Sequence, residues 1–472
     1  MSALFPLRPA LLLLSLCGLG GCGPGPFDRA EPGEALSAGT ASVRQFDHNA
    51  FSQPSANLTP SRRLAFSVGN SFFRNPWVIA PSTTTARDGL GPLFNTNACQ
   101  NCHIKDGRGH PPAANAASAV SMLLRLSIPA QPGQAAQLQR HGVIAEPTYG
   151  SQLQDMAIPG LAAEGKIRLD WEYRNIRLAD GSQVELRQPR LQLSALGYGT
   201  LHPQTQFSLR SAPPMIGLGL LEAIPAADLL ARADPDDADG DGISGRANQV
   251  WDEARGEPAL GRFGWKAGQP SLNQQNAHAF AGDMGLSTAL LPADDCTAAQ
   301  VACRQLPAGG RPEVSDEILA SVLFYSRNLA VPLRRGVNKP QVLAGKALFH
   351  QAGCAACHVP TFTTASQAAE PELANQHIRP YSDLLLHDMG ADLADNRPEF
   401  QADGREWRTP PLWGIGLTRT VSGHTQFLHD GRARNLLEAI LWHGGEGESA
   451  RQQVIHFDAG QRAALLAFLD SL

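Results

Sequence analysis

The chain has 472 residues, 43% of them hydrophobic, with 39 Lys and Arg against 44 Asp and Glu for a formal net charge of −5. At about 100 to 200 residues per domain this is a globular protein of two to three domains. The near balance of charge, without basic blocks, excludes a protein that must neutralise a run of nucleic-acid phosphates. The single sustained apolar run excludes a polytopic membrane protein. Eight cysteines carry most of the remaining information.

Residues 1–21 read as a secretory signal: Arg8 precedes an apolar run from Ala10 to Leu16 that is too short to span a bilayer. The run ends in Leu19-Gly20-Gly21-Cys22, which resembles a bacterial lipobox with Cys22 as the lipidated first residue. An ordinary signal peptide cut nearby is the alternative. Either way the protein is exported, with the periplasm as its destination and disulfides permitted. Gly23 after Cys22 favours an outer-membrane lipoprotein, held to the membrane by its lipid anchor only. Residues 22–60, rich in Gly, Pro, Ser and Asn, read as a tether and wrapping arm.

A repeated unit follows. Leu93-Phe94 ends five residues before Cys99-Gln100-Asn101-Cys102-His103, and Leu348-Phe349 ends five before Cys354-Ala355-Ala356-Cys357-His358, an offset of 255 residues. Two copies imply two related domains, placed at 61–332 and 333–472. Within the first, about 115–255 reads as a β-rich insertion: Lys166 to Trp171 and Val184 to Leu186 alternate, with Asp180-Gly181 as a hairpin signal. Ser315 is an expected N-cap for a helix carrying Ile318, Val322, Tyr325 and Leu329 on one stripe before Pro332. Asp458 to Leu472 reads as a second amphipathic helix.

Cys-x-x-Cys-His is the attachment signature of c-type haem, two thioethers fixing the porphyrin and the His facing the iron. His103 and His358 are then the proximal ligands of two covalent haems c. A redox Cys-x-x-Cys or a zinc site competes, but zinc pairs usually lie about 15 to 20 residues apart. Cys296 and Cys303 read as a loop disulfide. Asp237, Asp239 and Asp241 followed by Gly242 form the front of a calcium loop, with Ile243 and Asn248 completing it and Asn248 replacing the usual bidentate Glu. A solvated acidic turn is the alternative.

The order of these parts, with Thr409-Pro410-Pro411-Leu412 and Leu428-His429-Asp430-Gly431-Arg432, resembles the bacterial di-haem cytochrome c peroxidase superfamily. Gly107-Arg108-Gly109-His110-Pro111-Pro112, Asp239 to Arg246 and Asp283-Met284-Gly285 resemble more closely its di-haem oxidoreductase branch, also labelled thiol oxidoreductase. The resemblance implies a mainly α fold with two cytochrome c-like domains. It implies that Trp265, ahead of Ser271 to Gln275, bridges the haems, a core Trp being the alternative. It implies that Gln275 and Asp283 stand where the family has a Gln and a catalytic Glu, one methylene longer. Asp283 as a helix cap and Lys266 as a distal group remain open. Where the family supplies a Met as sixth ligand of the second haem, this chain has His443, with Met389, His387 and His429 as substitutes. For the first haem's distal side only His110 and His278 offer themselves.

These readings give an exported oxidoreductase passing electrons from a small redox protein or other donor, through the C-terminal haem, to peroxide or a similar oxidant at the N-terminal one. The alternatives are an electron-transfer cytochrome without turnover, or an oxidase acting on an organic or protein substrate. Every Cys has a place: Cys17 in the signal, Cys22 at the anchor, two in the disulfide and four holding haem. No thiol is left for literal thiol chemistry.

Overall fold

The structure is a computed structural model that describes residues 27–472 apart from 115, 117, 294, 307 and 308. The signal segment and Cys22 lie outside the described residues. Helix α1 (Pro60–Arg74) starts where Thr59 accepts from the Arg62 amide and Pro60 occupies the first turn. Strand β1 (Met122–Ser127) pairs antiparallel with β4 (Gln206–Ser211), and between them β2 (Lys166–Arg177) and β3 (Gln183–Ser194) form a long hairpin. In its turn the Asp180 carboxylate accepts from the Ser182 amide. A smaller hairpin, β5 (Gln249–Asp252) with β6 (Glu257–Leu260), leads into α2 (Leu272–Met284).

Helix α3 (Asp316–Arg327) is capped by Ser315 and packs on α1. A Cβ at Gly69 of α1 would meet the Ser321 carbonyl at 2.2 Å, so only Gly permits this approach. The helix stops before Leu329, which is buried beside the arm at Pro54. In the C-terminal half α4 (Pro340–Gln351) crosses α7 (Ala459–Ser471), again at a glycine: a Cβ on Gly345 would lie 1.9 Å from the Ala464 carbonyl. Asp458 and Gln461 close a capping box on α7. Strands β7 (Leu386–Asp388) and β8 (Glu406–Arg408) pair, and α5 (Leu436–Leu441) and α6 (Glu448–His456) precede α7.

The two halves share one core. Ala38 and Phe51 of the arm, Leu220, Phe263 and Leu272 of the first half, and Val359, Phe362, Ile378 and Trp413 of the second form one apolar cluster. The arm is part of that structure: Glu34 and Arg334 are an ion pair almost wholly withdrawn from water, and Lys346 Nζ reaches the same carboxylate at 3.1 Å. The long hairpin also spans the halves, with Leu178 and Leu186 packed among Leu393, Phe427 and Trp442.

The expectation of a mainly α fold is overturned. The chain is 30% helix and 18% strand, the strands making six two-stranded sheets among the described residues. The 46 Gly and 35 Pro interrupt helical periodicity everywhere outside a few amphipathic stretches. Side chains then take over the backbone's hydrogen bonds in the loops. Ser382 Oγ accepts from the Leu384 amide, Asp383 from Leu385, and Asp403 from both Arg405 and Glu406.

Candidate active site

The first Cys-x-x-Cys-His unit is a single helical turn, Cys99–Cys102. Its approach is pinned to the end of α2. The Gly91 amide donates to the Met284 carbonyl, and the Asn95 and Thr96 amides both donate to the Asp283 carbonyl. Gly91 and Gly285 touch so closely that a Cβ on either would clash with the other's backbone. His103 Nδ1 lies 2.8 Å from the Pro213 carbonyl. A carbonyl only accepts, so Nδ1 carries the proton and Nε2 keeps its lone pair. Burial pushes the imidazole down to about 4, so it is neutral.

The second unit repeats this chemistry. His358 Nδ1 is 2.9 Å from the Tyr381 carbonyl, and burial, then the field of His443, holds its imidazole near about 4. His443, just past α5, gives its own Nδ1 proton to the Ala439 carbonyl at 2.8 Å and also presents a free Nε2. Of the substitutes, His387 is excluded as a ligand because both ring nitrogens face carboxylates, Asp383 at 2.9 Å and Glu446 at 2.6 Å. Both nitrogens must donate, so His387 is a buried imidazolium, and the paired carboxylates raise it despite its burial. His429 stacks on Trp407 at 3.7 Å between centroids. Met389 approaches the same glycine, Gly447, as His443 does.

A cavity with the first unit on its wall runs past Phe73, Met215, Phe263, Phe280 and Met284. Trp265 stands on it, with its indole N–H on the Ser211 carbonyl at 2.8 Å. So does the loop 410–413, whose Leu412 packs on the other side with Cys354, Ala355 and Tyr381 around the second unit. This loop therefore lies between the two units, and Trp265 stands at the first cavity with its carbonyl accepting from the Arg408 amide.

The residues fit a haem at each unit. Cys102 is buried and Cys99, Cys354 and Cys357 are half-buried, with desolvation raising all four thiols. Burial, then the field of Asp283, pushes Cys99 up to about 12, which is the wrong poise for a thiolate nucleophile. Two guanidiniums on the cavity wall, Arg108 and Arg408, are held by carbonyls alone and have no carboxylate partner among the described residues. Burial lowers each to about 10, and Arg108 Nε has no acceptor. Buried cations without counter-ions call for an anionic ligand, as the propionates of a haem would be.

Gln275 and Asp283 both reach the cavity from α2. The Asp283 carboxyl accepts from Gln152 at 2.9 Å, and burial raises it against the field of Arg125. It caps no helix N-terminus, being in the last turn of α2. Lys266 is not a distal group: fully buried, it points at the Asp403 and Glu406 carbonyls and Asp395. His110 donates to its neighbour Pro111 and packs on His424, off the cavity, whereas His278 lines it.

The acidic loop gathers Asp234, Asp237 and Asp239, with ligand atoms within 4.8 Å of one another. Asp234 joins where Asn248 was expected. Asn248 is buried elsewhere, its amide spent on the Lys266 carbonyl and the Gln401 amide. Asp241 caps the Ile243 amide at 2.8 Å. Cys296 and Cys303 are joined in a disulfide. The sequence reading missed Arg125, Arg408 and Gln152. An Arg inside the otherwise apolar Met122-Leu123-Leu124-Arg125-Leu126 run was the available signal.

No curated protein and no solved structure matches the chain. Residues 34–472 match the family described as di-haem oxidoreductase, putative peroxidase. The chain therefore belongs to the di-haem oxidoreductase family.

Proposed function

We propose that this protein is an exported di-haem peroxidase that draws electrons from a small redox protein at its C-terminal half and delivers them to a peroxide at its N-terminal half. The observation that carries this reading is the contrast between the two units: His358 is matched by a second free imidazole, His443, whereas His103 faces a cavity with polar side chains on its wall. In this reading Cys99 and Cys102, and Cys354 and Cys357, attach the two haems through thioethers. The haems supply the irons that accept and donate single electrons.

The chain's own residues do the rest. The Pro213 and Tyr381 carbonyls fix the tautomer and orientation of His103 and His358. Trp265, on the first cavity and bonded through its carbonyl to the Arg408 amide of the second half, would carry electrons between the halves. Reduction of hydrogen peroxide takes two electrons and two protons and breaks the O–O bond to leave two waters. A group must therefore move a proton between the oxygens. Asp283, raised by burial and oriented by Gln152, holds that proton at its carboxyl. Calcium at the Asp234, Asp237 and Asp239 carboxylates would stiffen the loop whose Ser244 is bonded to Glu446 of the second half. Lipidation at Cys22 would hold the enzyme at the periplasmic face of the outer membrane.

The test is absorption and electron paramagnetic resonance of the purified protein in oxidised, half-reduced and reduced states. The proposal expects two covalent haems per chain, one of them high-spin or open to added ligands in at least one state. If every state shows only six-coordinate, ligand-inert haem, the protein is an electron carrier.

A further inference from the structure

Resting on that reading and extending it, we infer that Arg125, with Gln275 and His278 beside it, is the wall of the first cavity on which a small peroxide is held through its negatively polarised oxygen. In β1 the side chains of Met122, Leu124 and Leu126 are buried on one face, and the alternation turns Leu123 and Arg125 to the cavity. Among the described residues the Arg125 guanidinium has no hydrogen bond and no ion pair. The carboxylate nearest in chemistry, Glu399, is committed to Arg210 and Arg397, each at 2.8 Å. Gln275 and His278, one helical turn apart on α2, likewise face the cavity without a side-chain partner. Arg125 is also the shared electrostatic neighbour of Asp283, His278 and Glu399.

A haem carboxylate is not the partner this arginine awaits. In a porphyrin the thioether-bearing and propionate-bearing edges are opposite. Arg125 forms a β-bridge with Gln152, Gln152 Nε2 is 2.9 Å from the Asp283 carboxylate, and the Asp283 carbonyl holds the Asn95 and Thr96 amides just before Cys99, which puts Arg125 at the cysteine end. The unpaired Arg108 and Arg408 lie instead by Trp265: Arg108 sits over its ring and Arg408 is bonded to the adjacent Gly264 carbonyl. Burial and then the field of Arg125 bring His278 down to about 4, with Glu253, Glu399 and His141 also facing it. At neutral pH it is a free base that can take the proton a bound peroxide gives up, while Asp283 gives the proton its carboxyl holds to the departing oxygen.

The experiment is a fluoride titration of the oxidised holoprotein, followed at the haem absorption bands, for wild type, Arg125→Lys, Arg125→Leu and His278→Leu, with peroxide turnover measured separately. Fluoride needs a positive donor beside it, so Arg125→Leu is expected to weaken binding on the order of a hundredfold and Arg125→Lys about tenfold. His278→Leu is expected to leave fluoride binding within about threefold but to slow peroxide turnover on the order of a hundredfold. Fluoride binding by Arg125→Leu and Arg125→Lys equal to wild type overturns the inference alone, whereas a wild type whose haem binds no fluoride in the oxidised or half-reduced state overturns it together with the peroxidase reading. Arg125-dependent fluoride binding in a protein without peroxide turnover supports the anion site and overturns the peroxidase reading instead.

Discussion

Glu446→Gln should destabilise the holoprotein by about 2–4 kcal/mol at pH 7. The Glu446 carboxylate accepts four hydrogen bonds: from the Ser244 and Asp388 amides, each at 3.1 Å, from the Ser244 hydroxyl at 2.6 Å and from His387 Nδ1 at 2.6 Å. They divide two to each oxygen. Gln keeps only one oxygen, so whichever way the amide turns, two donors lose their acceptor, at about 1–3 kcal/mol for each that is buried, less where water reaches. The pH dependence fixes the sign. The hydrogen bonds from His387 and Ser244 overcome burial and lower Glu446 to about 2, so its contribution is present above the ordinary carboxyl range and is lost as pH falls from about 4.5 towards 2. His387, raised, contributes below its ordinary value and loses that contribution only as pH climbs through its raised one. The gap between wild type and variant should therefore be widest around neutrality and shrink by pH 3. Urea unfolding followed at the haem bands reads it, as a midpoint lowered by about 1 M for a slope of about 3 kcal/mol/M. Glu172→Gln, which breaks an exposed pair with Arg190, is the control and should leave the midpoint unchanged. If Glu446→Gln matches that control at pH 7, the network does not hold the second half together.

Four further outcomes are expected. Asp283→Ala should lower peroxide turnover by about 10²–10⁴-fold with haem content unchanged; full turnover would remove Asp283 from the chemistry. His443→Met should raise the midpoint potential of one haem in mediated potentiometry, and an unchanged potential means that His443 is not its ligand. Trp265→Phe should slow electron equilibration between the halves after rapid mixing with reductant while leaving both haem spectra intact. Removing calcium with a chelator should lower the melting temperature, which added calcium restores; an unchanged melt empties the Asp234, Asp237 and Asp239 cluster of meaning.

What the sequence could show was whatever depends on local spacing. The two Cys-x-x-Cys-His units, the Asp180-Gly181 turn and the Ser315 cap involve neighbours within a few residues, and each stands where the pattern put it. The order of helix and strand in the C-terminal half was not legible, because there the backbone is held by Asp and Ser side chains in loops rather than by a periodic stripe. Asn248 and Lys266 show the other limit. Both carry residue types suited to the roles expected of them, but each is buried against a carbonyl more than a hundred residues away, Glu399 for one and Asp403 for the other. Asp234 joins the acidic cluster from outside the motif, which no fixed register could place.

The same local unit, used twice, acquires different roles from what the chain brings to it afterwards. Both copies receive a carbonyl on Nδ1, so both imidazoles are set up alike. At the second copy the turn after α5 returns a further imidazole, and Glu446, three residues on, ties that turn to β7 through His387 and to the acidic loop through Ser244. Those contacts resist movement of His443. At the first copy α2 and β1 bring Gln275, His278 and Arg125 instead, none of them bonded to another side chain. Unpaired polar groups around a cavity cost stability that an apolar lining would not. A carrier of electrons has no use for that cost, whereas a site that must grip and protonate a small oxidant does, which is why the proposed turnover is assigned to the N-terminal unit.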